Sequence, residues 1–325
     1  MYRIRRATHA GSWYTADGQR LDEELTRWLA AVESSDDFAP PIKGCKAIIA
    51  PHAGYSYSGP TAAWAYKCID TTGIKKVFIL GPSHHVYLDG CALSRCHEYE
   101  TPIGNLPLDL DIIKDLRATN NFSDMDTETD EDEHSIEMHL PYVRKVFQGQ
   151  DITIVPILVG AINKSKEDFF GQILAPYLAR DDTIFVTSSD FCHWGTRFRY
   201  TFYYPEPPPS SKSPVRLSHA DKMPSTLNKH PIHASIAALD HEAMELLTMP
   251  PSTGVAAHHD FSEYLERTKN TICGRHPIGV LLGALGVLEK EGRVSKLQWV
   301  KYAQSSQCFT INDSSVSYAS AYVTV

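Results

Sequence analysis

Short apolar runs alternate along this chain with longer segments in which apolar residues recur at helical spacing. Residues 45–50, 76–80 and 183–187 have the length and the β-branched content of buried strands. Residues 58–66, between the first two runs, predict the start of a helix with Pro60 in its first turn. A strand, a helix and a second strand in this order form a βαβ unit, which predicts a parallel sheet.

The same periodicities predict the remaining elements. Asp17 suits the N-cap of a helix whose apolar face includes Leu21 and Leu25. Further helices are predicted at 111–117, 166–179 and 278–288, around Ile236 and around Phe261. Further strands are predicted at 152–159, 297–302 and 316–325.

Two predicted strands and one long segment have features of the protein surface. Pro156 favours an edge position or a bulge for strand 152–159, because proline cannot donate a ladder hydrogen bond. Strand 316–325 has the alternation of a half-exposed edge strand. The Pro- and Ser-rich segment 205–231 predicts a mobile surface loop, after which the α/β pattern resumes. We therefore expect one α/β domain over residues 1–325.

Composition and charge narrow the classes of function. Hydrophobic residues make up 42% and charged residues 22% of the chain, which is ordinary for a globular protein. A formal net charge of −8 gives no electrostatic footprint for nucleic acid or an anionic membrane. No apolar run is long enough to span a membrane, and residues 1–6 lack the apolar core of a signal peptide. We expect a cytoplasmic protein, with access to the nucleus left open, and no nucleic-acid or membrane partner.

Histidines follow three of the apolar runs. His52 and His84 come shortly after the first two, and the pair Asp190 and His193 follows the third. Because the carboxyl ends of parallel strands meet at one edge of a sheet, we expect these imidazoles to converge on a ligand site. Neutral imidazole is the commonest metal ligand, although a lone histidine more often has only a structural role.

Asp190 and His193 have two interpretations. They suit a general base with its orienting partner, or a metal ligand with the group that orients it. The alternative is an aspartate that caps the next helix beside a histidine packed on Trp194.

Cys273 is a further candidate, in a turn that contains Gly274, Arg275 and His276 at a predicted helix start. A helix N-terminus and a neighbouring arginine lower a thiol pKa, which would favour the thiolate needed by a nucleophile or a ligand. The alternative is a small buried hydrophobe. Seven cysteines without CxxC pairs indicate free thiols in a reducing compartment.

The acidic run 127–133 predicts a solvated face for most of its length. Its junction with His134, Glu137 and His139 makes part of it a candidate for lining the site. Spacing alone leaves open whether His134 or His139 contributes.

Seven segments resemble those of the Memo family and run nearly the whole chain in the family's order. They are HAGSWY at 9–14, APHAGY at 50–55, LGPSHH at 80–85, DEDEHSIEMHLPY at 130–142, SSDFCHWG at 188–195, NTICGRHPIG at 270–279 and YAQSSQC at 302–308. Segment 205–231 is the clear departure and resembles an insertion typical of a fungal member.

The resemblance implies the fold of class III extradiol dioxygenases, in which helices flank a mostly parallel or mixed sheet in three layers. In those enzymes two histidines and a glutamate hold ferrous iron. Memo proteins keep the two histidines, here His52 and His84, and have a cysteine, here Cys273, in place of the glutamate. Asp190 and His193 match an aspartate and a histidine of the family's site. The resemblance also implies iron or copper binding, redox activity, and cytoskeletal and motility signalling through receptor phosphotyrosine peptides.

The cysteine changes the expected chemistry. A thiolate is softer than a carboxylate and shifts preference toward Cu(I), Zn(II) or thiolate-bound iron, so dioxygenase activity is less expected than the fold suggests. The leading hypothesis is a Memo-type redox protein that binds iron or copper rather than zinc through His52, His84 and Cys273. Asp190 and His193 would lie beside these ligands and either orient them or transfer protons, in metal-dependent one-electron chemistry that converts oxygen to superoxide.

Two other hypotheses remain. One is a non-enzymatic scaffold whose cleft binds a peptide or phosphopeptide, with Arg197 and Arg199 as candidate partners for a phosphate. The other is a hydrolase in which Cys273 is the nucleophile or Zn(II) activates a water molecule. Fold alone does not choose among the three, because one scaffold supports many chemistries.

Overall fold

A computed structural model of the protein describes residues 2–220 and 224–325. The strands are β1 (Ile4–Arg5), β2 (Cys45–Ala50), β3 (Lys76–Pro82), β4 (Cys91–Leu93), β5 (Glu98–Tyr99), β6 (Leu106–Pro107), β7 (Phe122–Asp124), β8 (Thr153–Val159), β9 (Thr183–Ser188), β10 (Asp190–Trp194), β11 (Phe202–Tyr203), β12 (Val215–Arg216), β13 (Lys296–Gln304) and β14 (Ser315–Thr324). The helices are α1 (Gly18–Ala30), α2 (Tyr55–Lys67), α3 (Leu110–Ala118), α4 (Thr127–Asp132), α5 (His134–Glu137), α6 (Leu140–Val146), α7 (Lys164–Leu178), α8 (Ile232–Leu247), α9 (Gly254–Thr268) and α10 (Arg275–Lys290).

The main sheet is mixed. Its strand order is β10-β14-β2-β9-β3-β8-β4-β7, and β13 pairs with β14. The four central strands β2, β9, β3 and β8 are parallel to one another, whereas β14 and β4 run antiparallel to their central neighbours. Helices flank this sheet, so the predicted α/β fold with a mostly parallel or mixed sheet is confirmed.

Burial explains why the central strands are continuous apolar runs. Every residue of β2 and β9 is buried, as are all residues of β3 and β8 after the first. Helix α2 packs against β2 and β14, while α10 packs against β3 and β9. Strands covered in this way need apolar side chains on both faces, as parallel sheets usually do. Within the described residues, no helix is both long and apolar enough to cross a bilayer.

The predicted helices lie where the sequence places them, but several begin or end a few residues away from the predicted bounds. Asp17 caps α1 by accepting a hydrogen bond from the backbone N–H of Arg20. Helix α2 begins at Tyr55, three residues before the predicted start, so Pro60 lies inside the helix and not in its first turn. The backbone N–H of Tyr55 donates to the carbonyl oxygen of Trp13, a contact between distant segments that local sequence does not reveal.

Both predictions of edge strands are wrong. Strand β8 lies between β3 and β4, and Pro156 is one residue outside the stretch of β8 that pairs with the three residues of β4. Strand β14 pairs with β2, β10 and β13 and is buried over most of its length. Its serines caused the error, because they are buried and hydrogen-bonded, as when Ser320 Oγ donates to the carbonyl oxygen of Thr61.

Segment 205–231, the predicted mobile insertion, contains short elements. Its β12 pairs with β11, and residues 225–228 form one 3-10 turn. Leu217 is buried. Residues 221–223 of the segment lie outside the described part of the chain.

A buried ion-pair network attaches the N-terminal segment to the body of the protein. The Arg5 side chain is fully buried, with Nη1 at 2.6 Å from Glu137 and Nε at 3.3 Å from Asp130. Glu137 also accepts hydrogen bonds from His9 and from the hydroxyl of Tyr14. Burial opposes ionisation of Glu137, but the hydrogen bond from His9 and the charge of Arg5 lower its pKa to about 2. The network therefore fixes residues 5–14 beside α5.

We expect Arg5→Met to lower the free energy of unfolding by about 3–5 kcal/mol, because it leaves two buried carboxylates without their cation. Arg6→Met is the matched control, since the Arg6 side chain is 64% exposed and forms a surface pair with Glu100. We expect about 0.5 kcal/mol or less for this control. Urea denaturation followed by circular dichroism measures both, and similar losses would contradict the assignment.

Candidate metal centre

The site lies at the carboxyl edge of the central strands. Strands β2, β9 and β3 are adjacent and parallel, so their ends lie side by side. His52 follows β2 and His84 follows β3, and the centroids of the two imidazole rings are 5.2 Å apart. Ligand atoms of His52, His84 and Cys273 all lie within 4.8 Å of one another. The structure therefore brings together the three ligands predicted from the sequence.

The hydroxyl of Ser188, the last residue of β9, fixes the tautomer of His52. Ser188 Oγ lies 2.6 Å from His52 Nδ1 and donates its own hydrogen to the carbonyl oxygen of Ser135 at 2.8 Å. A hydroxyl has one hydrogen, so Nδ1 must be the donor to Oγ. The lone pair of His52 is therefore on Nε2, which lies 3.2 Å from Cys273 Sγ. Burial lowers the pKa of His52 well below its usual value, which keeps the ring neutral.

Glu133 fixes the same tautomer in His84. Its two carboxylate oxygens accept from His84 Nδ1 at 2.9 Å and from the His84 backbone N–H at 2.7 Å. Burial opposes ionisation of Glu133, but the hydrogen bond from His84 and the nearby His134 lower its pKa to about 2. An ionised carboxylate only accepts, so His84 Nδ1 carries a hydrogen and Nε2 is free. Metal-ligating histidines usually have such a partner.

His134 belongs to the site and His139 does not. The His134 ring stacks on His84 with centroids 4.4 Å apart, and Nδ1 lies 3.5 Å from Glu133. Burial, followed by the charge of His84, lowers the pKa of His134 to about 3. His139 is fully buried and hydrogen-bonds to the hydroxyl of Tyr66 at 2.8 Å. The structure thus decides between the two histidines that spacing leaves equivalent.

Cys273 lies just before the N-terminus of α10, as predicted, but its predicted low pKa is wrong. Burial and the neighbouring Asp190 carboxylate raise the pKa of the thiol well above its ordinary value. The backbone N–H of Asp190 donates to Cys273 Sγ at 3.3 Å and acts in the opposite direction, because a hydrogen bond to the sulfur lowers the pKa of the thiol. The raised pKa removes the main support for the hydrolase hypothesis with a cysteine nucleophile, which needs a thiolate.

Asp190 and His193 lie on a strand of their own. The sequence predicts a loop after β9, whereas the chain forms β10, which pairs with β14. Asp190 does not cap a helix: its Oδ1 accepts from the backbone N–H of His52 at 2.9 Å. His193 Nδ1 contacts the carbonyl oxygens of Phe191 and Thr271 at 2.9 and 3.1 Å, so it is the donor and Nε2 is free. Burial raises the pKa of Asp190.

A cavity of about 490 Å3 lies beside the site. Its lining includes His52, His84, His134, Asp190 and His193, together with Trp13, Tyr57, Arg197, Phe198 and Tyr318. Of the two arginines predicted near the site, Arg197 lines the cavity and Arg199 does not.

Sequence reasoning missed Ser188 and Trp13. The Trp13 ring lies 4.4 Å from that of His134, where the Arg5 and Glu137 network holds the N-terminal segment. Trp13 belongs to the segment HAGSWY at 9–14 that resembles the Memo family, but no local pattern places it beside His134. The acidic run 127–133 is only partly exposed to solvent. Asp130 and Glu133 are buried, while Glu128 and Asp132 are exposed. The expected solvated face is therefore limited to the exposed positions.

Comparison with known proteins identifies the family. A family model described as Memo-like protein matches residues 5–322. The protein MEMO1 of Mus musculus is 46% identical over 323 residues, which cover 99% of this chain and 97% of the mouse protein. The chain belongs to the Memo family. A memo-1 homolog of Caenorhabditis elegans is 41% identical over 99% of this chain and 83% of its own length.

A solved structure of an uncharacterized Escherichia coli K12 protein, JW3007, covers 83% of this Memo-family chain and 98% of its own. Its TM-score is 0.43 and its sequence identity 14%, a likeness too weak to carry an argument.

We expect Glu133→Gln to lower the free energy of unfolding at pH 7 by about 3 kcal/mol, from the pKa of about 2 in the folded protein and the ordinary value of 4.5. Because the folded-state pKa is depressed, this stability is present above pH 4.5 and is lost as the pH falls toward 2. Urea denaturation between pH 3 and 7 measures whether the unfolding free energies of variant and wild type approach each other as the pH falls. The exposed Glu128→Gln is the control, and an equal effect there would contradict the prediction.

Proposed function

We propose that this Memo-family protein is a redox protein that binds iron or copper through His52 Nε2, His84 Nε2 and Cys273 Sγ. The observation that carries the proposal is the pair of hydrogen bonds that His52 and His84 donate from Nδ1 to Ser188 and Glu133, which directs both imidazole lone pairs away from the protein frame. His52 Nε2 lies 3.2 Å from Cys273 Sγ, and ligand atoms of His52, His84 and Cys273 all lie within 4.8 Å of one another. A bound iron or copper ion would supply one-electron redox chemistry with oxygen, with superoxide as the proposed product.

The donor set fits these metals. Two neutral imidazoles and one thiolate are softer than two imidazoles and a carboxylate, and they suit copper or thiolate-bound iron. Glu133 orients His84 and adds negative charge behind it, as carboxylates do in metal sites. The fourth side of the site is the cavity, where a small molecule has access.

Asp190 and His193 would handle protons in this proposal. His193 Nδ1 is held by two carbonyl oxygens, so Nε2 is a fixed acceptor on the cavity wall. The Asp190 carboxyl lies with Oδ2 at 4.0 Å from His52 Nε2, and its raised pKa suits a group that holds a proton. Both residues line the same cavity, three positions apart on β10 and on either side of a register shift in its pairing with β14.

We expect protein purified without oxygen and without affinity-tag nickel to contain about one equivalent of iron or copper per chain, measured by mass spectrometry. His52→Ala and Cys273→Ser should lose it and stay folded by circular dichroism. His259→Ala is the control, because His259 is exposed and belongs with Asp260 and Glu263 to a separate group of residue types that ligate metals. Wild-type protein that holds no metal and binds neither Fe(II) nor Cu(I) on titration would refute the proposal.

Metal affinity should rise with pH. The pKa of the Cys273 thiol is raised above its ordinary value, so the ion must displace one proton from sulfur, while His52 is already neutral. We expect the apparent association constant to increase about tenfold per pH unit between pH 7.5 and 8.5. Titration calorimetry in buffers of different ionisation enthalpy measures the released proton. Metal binding without proton release, or an association constant that does not change with pH, would contradict the assignment.

A second candidate function is peptide or phosphopeptide binding in the same cavity, linked to cytoskeletal signalling. Arg197 favours it, because an exposed guanidinium on the cavity wall is a suitable partner for a phosphate. Trp13 and Tyr57 add exposed aromatic surface beside it. The metal-ligand variants separate the two functions, since a scaffold would keep its partner when His52 or Cys273 is replaced.

A further inference from the structure

The Pro- and Ser-rich segment 205–231 contains a serine with the sequence features of a phosphorylation site. Ser213 is followed directly by Pro214, and Arg216 stands three positions after the serine. Proline-directed serine kinases select a proline directly after the serine and a basic residue two positions further on, so that part of the specificity comes from charge. The segment therefore carries a complete recognition sequence for this class of kinase.

The structure makes this sequence accessible. Residues 207–216 are all exposed to solvent. Pro214 restricts the backbone of Ser213 to extended conformations, which are those that the substrate groove of a kinase accepts. Two residues after Ser213, the chain forms the two-residue strand β12, which pairs with the two residues of β11. So short a pairing is marginally stable and can open when a kinase binds.

Thr101 provides a comparison within the same chain. It is the one other serine or threonine that precedes a proline, and a glycine, Gly104, stands three positions after it. The Thr101 side chain is buried, and its hydroxyl donates to the carbonyl oxygen of Gly104 at 2.5 Å. Burial and the absence of a basic residue both exclude Thr101, so Ser213 is the site that the folded chain offers to a proline-directed kinase.

The surroundings of Ser213 can accommodate a phosphate. A phosphoserine carries a charge of about −1.5 to −2 at pH 7 and three strong acceptor oxygens. Its neighbour Lys212 now pairs through Nζ with Glu206 Oε1 at 2.7 Å, and Glu206 also accepts a hydrogen bond from Ser210 Oγ at 3.0 Å. A phosphate on Ser213 would compete with Glu206 for Lys212. Phosphorylation would thus rearrange the turn formed by residues 206–212.

We propose that Ser213 is a phosphorylation site for a proline-directed serine kinase. In the transfer, Ser213 Oγ attacks the γ-phosphorus of ATP, and the new Oγ–P bond forms as the bond from phosphorus to the ADP oxygen breaks. The hydroxyl proton passes to the catalytic aspartate of the kinase. The site is independent of the metal centre and lies in the segment that departs from the Memo pattern.

Incubation of the folded full chain with a cyclin-dependent kinase and Mg-ATP, followed by peptide mass spectrometry, tests the proposal. We expect one phosphate per chain, on Ser213, and none in Ser213→Ala. Arg216→Gln should lower kcat/KM at least about tenfold, because one charge-assisted contact with the kinase is lost. Lys229→Gln is the matched control, since Lys229 is an exposed cation of the same segment beyond the recognition sequence, and it should be phosphorylated like the wild type.

The proposal is overturned if the folded chain takes no phosphate, or if the phosphate is found on Thr101 or another residue instead. Phosphorylation that first requires unfolding in urea also overturns it, because Ser213 is exposed in the folded chain. An acidophilic kinase, casein kinase II, should leave Ser213 unmodified, since a basic residue stands at the third position after the serine. Equal modification by both kinases, or an unchanged rate in Arg216→Gln, would overturn the proline-directed assignment.

Discussion

The parallel pairing of β2, β9 and β3 is the constraint on which the rest of the structure depends. These strands are buried along their length, so their register cannot slip without moving apolar side chains out of the core. Parallel strands place their carboxyl ends at one edge, and the chain must leave each strand there. At this edge lie His52, Ser188 and His84, at the ends of three adjacent strands. The fixed spacing of the strands makes the site small and rigid.

Hydrogen-bond partners behind the site determine what its histidines can do. Ser188 and Glu133 each occupy an Nδ1 atom, which leaves the Nε2 atoms of His52 and His84 as acceptors beside Cys273. A hydrogen bond from Ser188 to Ser135 and one from Ser135 to Glu133 connect the two supports through α5. The two imidazoles are therefore fixed by one connected set of buried groups.

The N-terminal segment closes one side of the cavity through charge. Arg5 is taken out of water, which is costly unless its charge is matched, and Glu137 and Asp130 match it. The same Glu137 accepts hydrogen bonds from His9 and Tyr14, so residues 5–14 follow the position of α5. Trp13 consequently lies against His134, although 121 positions of sequence separate the two.

The sequence by itself determined the α/β class, the buried central strands and the residue types gathered at their ends, because apolar period and strand length are local properties. It identified His52, His84 and Cys273 as ligand candidates and left His134 and His139 equivalent. Only the tertiary structure decided that His134 faces the cavity, that β14 is an interior strand and that burial raises the pKa of Cys273. Burial, tautomers and pKa values depend on groups that are distant in sequence and near in space, as Ser188 is to Ser135, and no local pattern encodes them.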